Sequence, residues 1–90
     1  MNIKDSKTAS EIRDKVDSSK ASLEEHKVVI DEVGATQREK FESLSDKMQE
    51  TAKGLNIESD AQTLESIADA LQQAIDALEE VIVEFGNLEP

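Results

Sequence analysis

What most limits this chain is how little interrupts it. Its 90 residues include three Gly and one Pro, and the Pro is the final residue. Gly and Pro are the strongest local breakers of regular structure, so their scarcity leaves long unbroken segments. Within those segments apolar residues recur in alternating steps of three and four. That spacing lines one stripe of an α-helix, whereas a half-buried strand alternates by two. The class expected is therefore all-α, made of helices that bury their stripes against other helices.

Thr8 with Glu11 reads as a capping box that opens a first helix. From there Ala9, Ile12, Val16, Ser19, Leu23, His26, Ile30 and Val33 keep heptad spacing. Gly34 perturbs the pattern, and the stripe resumes at Phe41, Leu44, Met48, Ala52 and Leu55. The step from Ile30 to Phe41 equals three helical turns, which one long helix can absorb as a stutter. Gly34 followed by Thr36 and Glu39 also fits a stop and a fresh capping box. The expected architecture is thus an antiparallel helical hairpin with its long first helix kinked at Gly34. A three-helix bundle is the alternative.

Lys53-Gly54-Leu55 reads as the end of the first half, with Gly54 as the left-handed residue beyond the helix and Lys47 and Lys53 at its negative end. Ser59 with Gln62 then opens the last helix. A single domain follows, with residues 1–7 frayed, 8–53 a helix or helix pair, 54–58 a turn and 59–88 the last helix.

The last helix has the most regular stripe: Ile57, Ala61, Leu64, Ala68, Leu71, Ile75, Leu78, Ile82 and Phe85. A second row, Ile67, Ala74, Val81 and Leu88, runs beside it at heptad intervals. Together they make a wider face than one partner helix covers. The second row either packs within the same chain or binds another subunit or protein. The candidate partner-binding face comprises Leu64, Ile67, Leu71, Ala74, Ile75, Leu78, Val81, Ile82 and Leu88.

Charge narrows the partners. The net charge is -11, and residues 54–90 carry acidic residues with no Lys or Arg. Such a surface repels phosphate backbones and anionic headgroups, so neither nucleic acid nor a membrane surface is an expected partner. No apolar run approaches the roughly 20 residues of a membrane span, and Met1 to Lys7 lack the apolar stretch of a signal peptide. A soluble protein made in the cytoplasm is expected.

Catalytic chemistry finds no foothold in the sequence. There is no Cys, and His26 is the one His, so a zinc ligand set is missing. Glu24-Glu25 and Glu79-Glu80 are adjacent pairs whose members point apart on a helix. Gly34, Gly54 and Gly86 stand alone, which leaves no phosphate-binding loop. No enzyme activity, metal or cofactor is expected.

The expected last helix ends Val83-Glu84-Phe85-Gly86-Asn87-Leu88-Glu89, which sets an aromatic and a carboxylate one helical turn apart. This terminus, with the length and the two-stripe architecture, resembles the WXG superfamily of small type VII secretion proteins. Nearest are the small accessory or targeting partners of LXG toxins, whose motif carries Phe. The superfamily's Trp-x-Gly turn is absent, and the corresponding stretch reads Lys53-Gly54-Leu55-Asn56. The resemblance implies a helical hairpin that pairs with a related small protein or with a toxin's helical N-terminal domain. It also implies secretion without a cleaved signal, with Phe85 and Glu89 as the export motif. The competing expectations are a homodimeric coiled-coil module and a cytoplasmic chaperone or adaptor.

Overall fold

Asn2 starts the first helix. Its side chain accepts a hydrogen bond from the Asp5 amide at 2.7 Å, satisfying one of the free N–H groups of the first turn. The computed structural model describes residues 1–88, and its helix α1 runs from Ile3 to Glu42 without a break. The capping box expected at Thr8 is not used. Thr8 lies inside the helix, where its hydroxyl donates to the Lys4 carbonyl.

Gly34 neither ends nor divides α1. It is buried against the last helix, and a Cβ there would meet Leu64 Cβ at 3.5 Å. The step from Ile30 to Phe41 is filled by Gly34 and Gln37, so the three-and-four alternation continues from Val16 to Leu44. No stutter remains to be absorbed.

The turn also lies earlier than the spacing predicts. Helix α1 ends at Glu42 with Ser43 as its cap, a one-turn helix α2 spans Asp46–Gln49, and α3 spans Ala52–Phe85. Two side-chain caps set these starts: Ser45 accepts from the Met48 amide, and Thr51 accepts from the Gly54 amide. The Gln49 side-chain amide donates to the carbonyls of Phe41 and Leu44, tying the turn to the open end of α1.

Gly54 is therefore no left-handed stop. It sits in the first turn of α3, and no Gly among the described residues has positive φ. What it supplies is room. A Cβ there would stand 2.5 Å from the Met48 carbonyl oxygen and 2.8 Å from that of Gln49. The residue read as the end of one helix is the point where the next passes under the turn.

α1 and α3 pack along their lengths as an antiparallel hairpin with principal extents of 68 × 15 × 14 Å. The α3 side of the seam is the stripe expected from the sequence, with Ala61, Ala68 and Ile75 buried and Leu64, Leu71, Leu78, Ile82 and Phe85 half-buried. The α1 side is rotated from expectation. Ala9, Val16, Leu23, Ile30 and Phe41 enter the seam, but their companions are Lys20, Lys27 and Gly34. Ile12, Ser19, His26 and Val33 stay exposed. Lys20 and Lys27 manage this by laying their aliphatic stems along the seam while their ammonium groups reach solvent and carboxylates.

Candidate functional site

Ion pairs show which flanks of the two helices adjoin. Lys20 Nζ lies 2.7 Å from Glu79 and 3.4 Å from Glu24, and Lys27 lies 3.0 Å from Asp31. Arg38 donates through Nε and Nη2 to the same oxygen of Glu65, at 3.2 and 3.0 Å. One member of each acidic pair noted in the sequence, Glu24 and Glu79, thus meets at Lys20. The Glu79 hydrogen bond holds the Lys20 pKa above its ordinary 10.5, with Glu24 acting in the same direction and partial burial opposing both.

The residues that make these bonds lie along one side of the seam. On α1 the row of Asp17, Glu24, Asp31 and Arg38 flanks it, and on α3 the row of Glu58, Glu65, Gln72 and Glu79 does so. At 3.6 residues per turn, the rows on the opposite flanks are Ile12, Ser19, His26 and Val33 on α1, and Ile67, Ala74, Val81 and Leu88 on α3. Because the charged flanks meet on one face of the hairpin, the other two rows must share the opposite face.

The register follows from the same contacts. Gly34 beside Leu64 and Lys20 beside Glu79 put Val33 level with Ile67 and His26 level with Ala74. Farther along, Ser19 is level with Val81 and Ile12 with Leu88. The hairpin is two-faced. One face is a lattice of carboxylates and cations, and the other is a strip of aliphatic and small side chains interrupted by His26.

That strip is uncovered. Ile67 and Val81 are each 41% exposed and Leu88 is 47% exposed, whereas Ile75 in the seam of the same helix is 6% exposed. Ile12, Val29 and Val33 are exposed across from them. The nine residues of the candidate partner face therefore divide. Leu64, Leu71, Ile75, Leu78 and Ile82 pack within the chain, and Ile67, Ala74, Val81 and Leu88 remain outside. The alternative in which this chain covers its own second row is overturned, because α2 is one turn long and lies at the turn end.

The α1 half of the strip is what the sequence reading missed as a surface. Its signal was present: the row Ile12, Ser19, His26 and Val33 was taken for the seam itself, one position away from Lys20, Lys27 and Gly34.

Phe85 is half-buried where the chain ends meet, lining a shallow depression with Met1, Ala9, Arg13 and Leu88. It is a packing residue of the hairpin. Glu89, its companion in the expected export motif, lies outside the described residues. His26 is exposed on the strip. Among the described residues no trio of His, Cys, Asp or Glu converges as a metal site requires, and no helix is long and apolar enough to cross a membrane.

No family model matches the chain, and no curated protein or solved structure does so either.

Proposed function

We propose that this protein is a non-enzymatic helix-pairing factor that works as a type VII secretion accessory or targeting protein. Its uncharged strip packs on a helical partner, and Phe85 with Glu89 serves as the export motif. The observation that carries the pairing role is the exposed row Ile67, Ala74, Val81 and Leu88 beside exposed Ile12 and Val33. A contiguous apolar strip of this kind marks an interaction surface in a chain otherwise rich in charge. The partner chemistry that fits is another amphipathic helical surface, as in a related small helical protein or the N-terminal domain of an LXG-type toxin.

The export role draws on the resemblance at the terminus and on the rigidity of a 34-residue helix that holds Phe85 at its end. The protein is then made in the cytoplasm and secreted together with its partner.

Two substitutions test the two halves separately. Val81→Glu places a charge on the strip, so a tagged chain should lose its helical partner in co-purification from the native host while circular dichroism stays unchanged. Undiminished capture would sink the pairing role. Glu89→Ala should lower the amount in culture supernatant while partner capture persists, and equal secretion would sink the export role. Phe85→Ala is the weaker test, because Phe85 also packs between the chain ends.

A further inference from the structure

We infer that His26 is a proton-operated switch on the strip: a helical partner covers the neutral ring and is released when the ring takes up a proton. The inference rests on the reading of the strip as a pairing surface, and it adds the condition under which that surface works.

His26 is the third of four residues in the α1 row Ile12, Ser19, His26 and Val33. The register sets it level with Ala74, in the row Ile67, Ala74, Val81 and Leu88. The ring is therefore exposed in the interior of the strip, with aliphatic levels to either side. Across from it, Ala70, Ala74 and Ala77 are short. At this height the imidazole is the tallest feature of the strip, so a helix laid along the strip must cover it.

Among the described residues no ionisable group faces the ring. Its neighbours three and four residues away on α1 are Ser22, Leu23, Val29 and Ile30. Glu25 and Lys27 project roughly 100° to either side of it, and Lys27 is already paired with Asp31 at 3.0 Å. On α3 the facing residues are the three alanines, while Glu65 and Glu79 bond Arg38 and Lys20 on the opposite face of the hairpin. Helix α2, with Asp46 and Lys47, lies at the turn end.

The remaining charges stand at the margins of the strip. Lys15 and Glu84 are about 16 Å away along the axis toward one end, and Lys40 and Asp60 about 21 Å toward the other, at 1.5 Å per residue. Both separations exceed the screening length of about 8 Å at physiological salt. His26 enters no ion pair among the described residues. Water is what hydrates a charged ring here, and a partner on the strip removes that water.

Histidine is the side chain that ordinarily changes charge near pH 6.5, whereas carboxylates do so near 4 and lysine above 10. His26 is the one His of the chain, so among its side chains a step from pH 7.5 to 5.5 acts through this ring. In the free hairpin either form is hydrated, and the fold is indifferent to the change. Under a partner the neutral ring packs with little penalty, but the cation loses its hydration with no carboxylate to replace it. Covering thus favours the deprotonated ring. By linkage, affinity is fully present above the ordinary histidine range and falls as pH descends through it, by up to about tenfold per pH unit.

The test uses the full chain and, as probe, the purified helical protein that it captures from the native host at pH 7.5. Wild-type affinity should fall about tenfold between pH 7.5 and 5.5. His26→Gln is neutral throughout and should change less than about twofold between the two, while His26→Lys should bind about tenfold more weakly at both. Circular dichroism at each pH confirms folding, since neither substitution touches a seam residue. Equal wild-type affinity at both pH values, tighter binding at pH 5.5, or the same fall in His26→Gln would overturn the switch. Failure of the pairing role itself looks different. If no helical protein is captured at pH 7.5, or if Val81→Glu leaves capture undiminished, pairing and switch fall together. If Val81→Glu abolishes capture while the two pH values give one affinity, the switch alone falls.

Discussion

The two faces of this hairpin are built from the same two helices and differ in what finishes them. On one face the chain completes its own contacts: Lys20 bridges Glu24 and Glu79, and Arg38 reaches Glu65. On the other, Ile67, Val81 and Leu88 have no covering layer of their own. Exposed ion pairs contribute little to stability, with a median of about 0–1 kcal/mol. Burying an aliphatic side chain is worth roughly 1.5–3 kcal/mol. The lesson is that the face which looks finished holds the smaller share of the available energy. The larger share lies in the aliphatic row that the hairpin leaves exposed.

The strongest test of that contrast uses two isoleucines eight residues apart on α3, one in the seam and one on the exposed strip. Ile75→Ala should destabilise the chain by about 2–3 kcal/mol at every protein concentration, because Ile75 is buried within the hairpin. Ile67→Ala should cost much less, because that side chain is already 41% exposed. Chemical denaturation checks both. Equal losses would erase the distinction between seam and strip.

Next come the two buried glycines, one at the turn and one in the seam. Gly54→Ala forces a Cβ against the Met48 and Gln49 carbonyls and should cost about 1–3 kcal/mol in thermal unfolding. Gly34→Ala meets only ordinary contact with Leu64 Cβ. It should stabilise by about 0.5–1 kcal/mol through its higher helix propensity. Destabilisation at Gly34 comparable to that at Gly54 would mean the helices approach more closely than the packing described.

The charged face should respond least. Arg38→Ala should cost at most about 1 kcal/mol, and the cost should shrink in high salt as the Glu65 pair is screened. The Lys20 contribution carries a definite sign. Its pKa is raised in the folded chain, so its stabilisation is fully present below the ordinary 10.5 and is lost as pH climbs through the folded value. Helicity followed by circular dichroism from neutral to strongly alkaline pH should decline only in that upper range. Replacing Lys20 with Met should flatten the decline.

The sequence by itself determined the helices and most of α3. Its stripe from Ile57 to Phe85 is the seam stripe, and its second row is the exposed one, because a heptad pattern depends only on the local helical period. A face wider than one partner helix covers was therefore readable from Ile67, Ala74, Val81 and Leu88, but whether the chain covers it was not. Tertiary structure decided three other things. Placement of the turn depends on Ser45, Thr51 and Gln49 side chains and on the close pass at Gly54, which no spacing rule encodes. The rotation of α1 depends on Gly34 lying against Leu64 and on lysine stems that can line a seam as well as face water. That rotation, in turn, brought Ile12 and Val33 out beside the α3 row. Apolar periodicity says which residues seek burial, but only packing between helices decides which of them find it inside the chain.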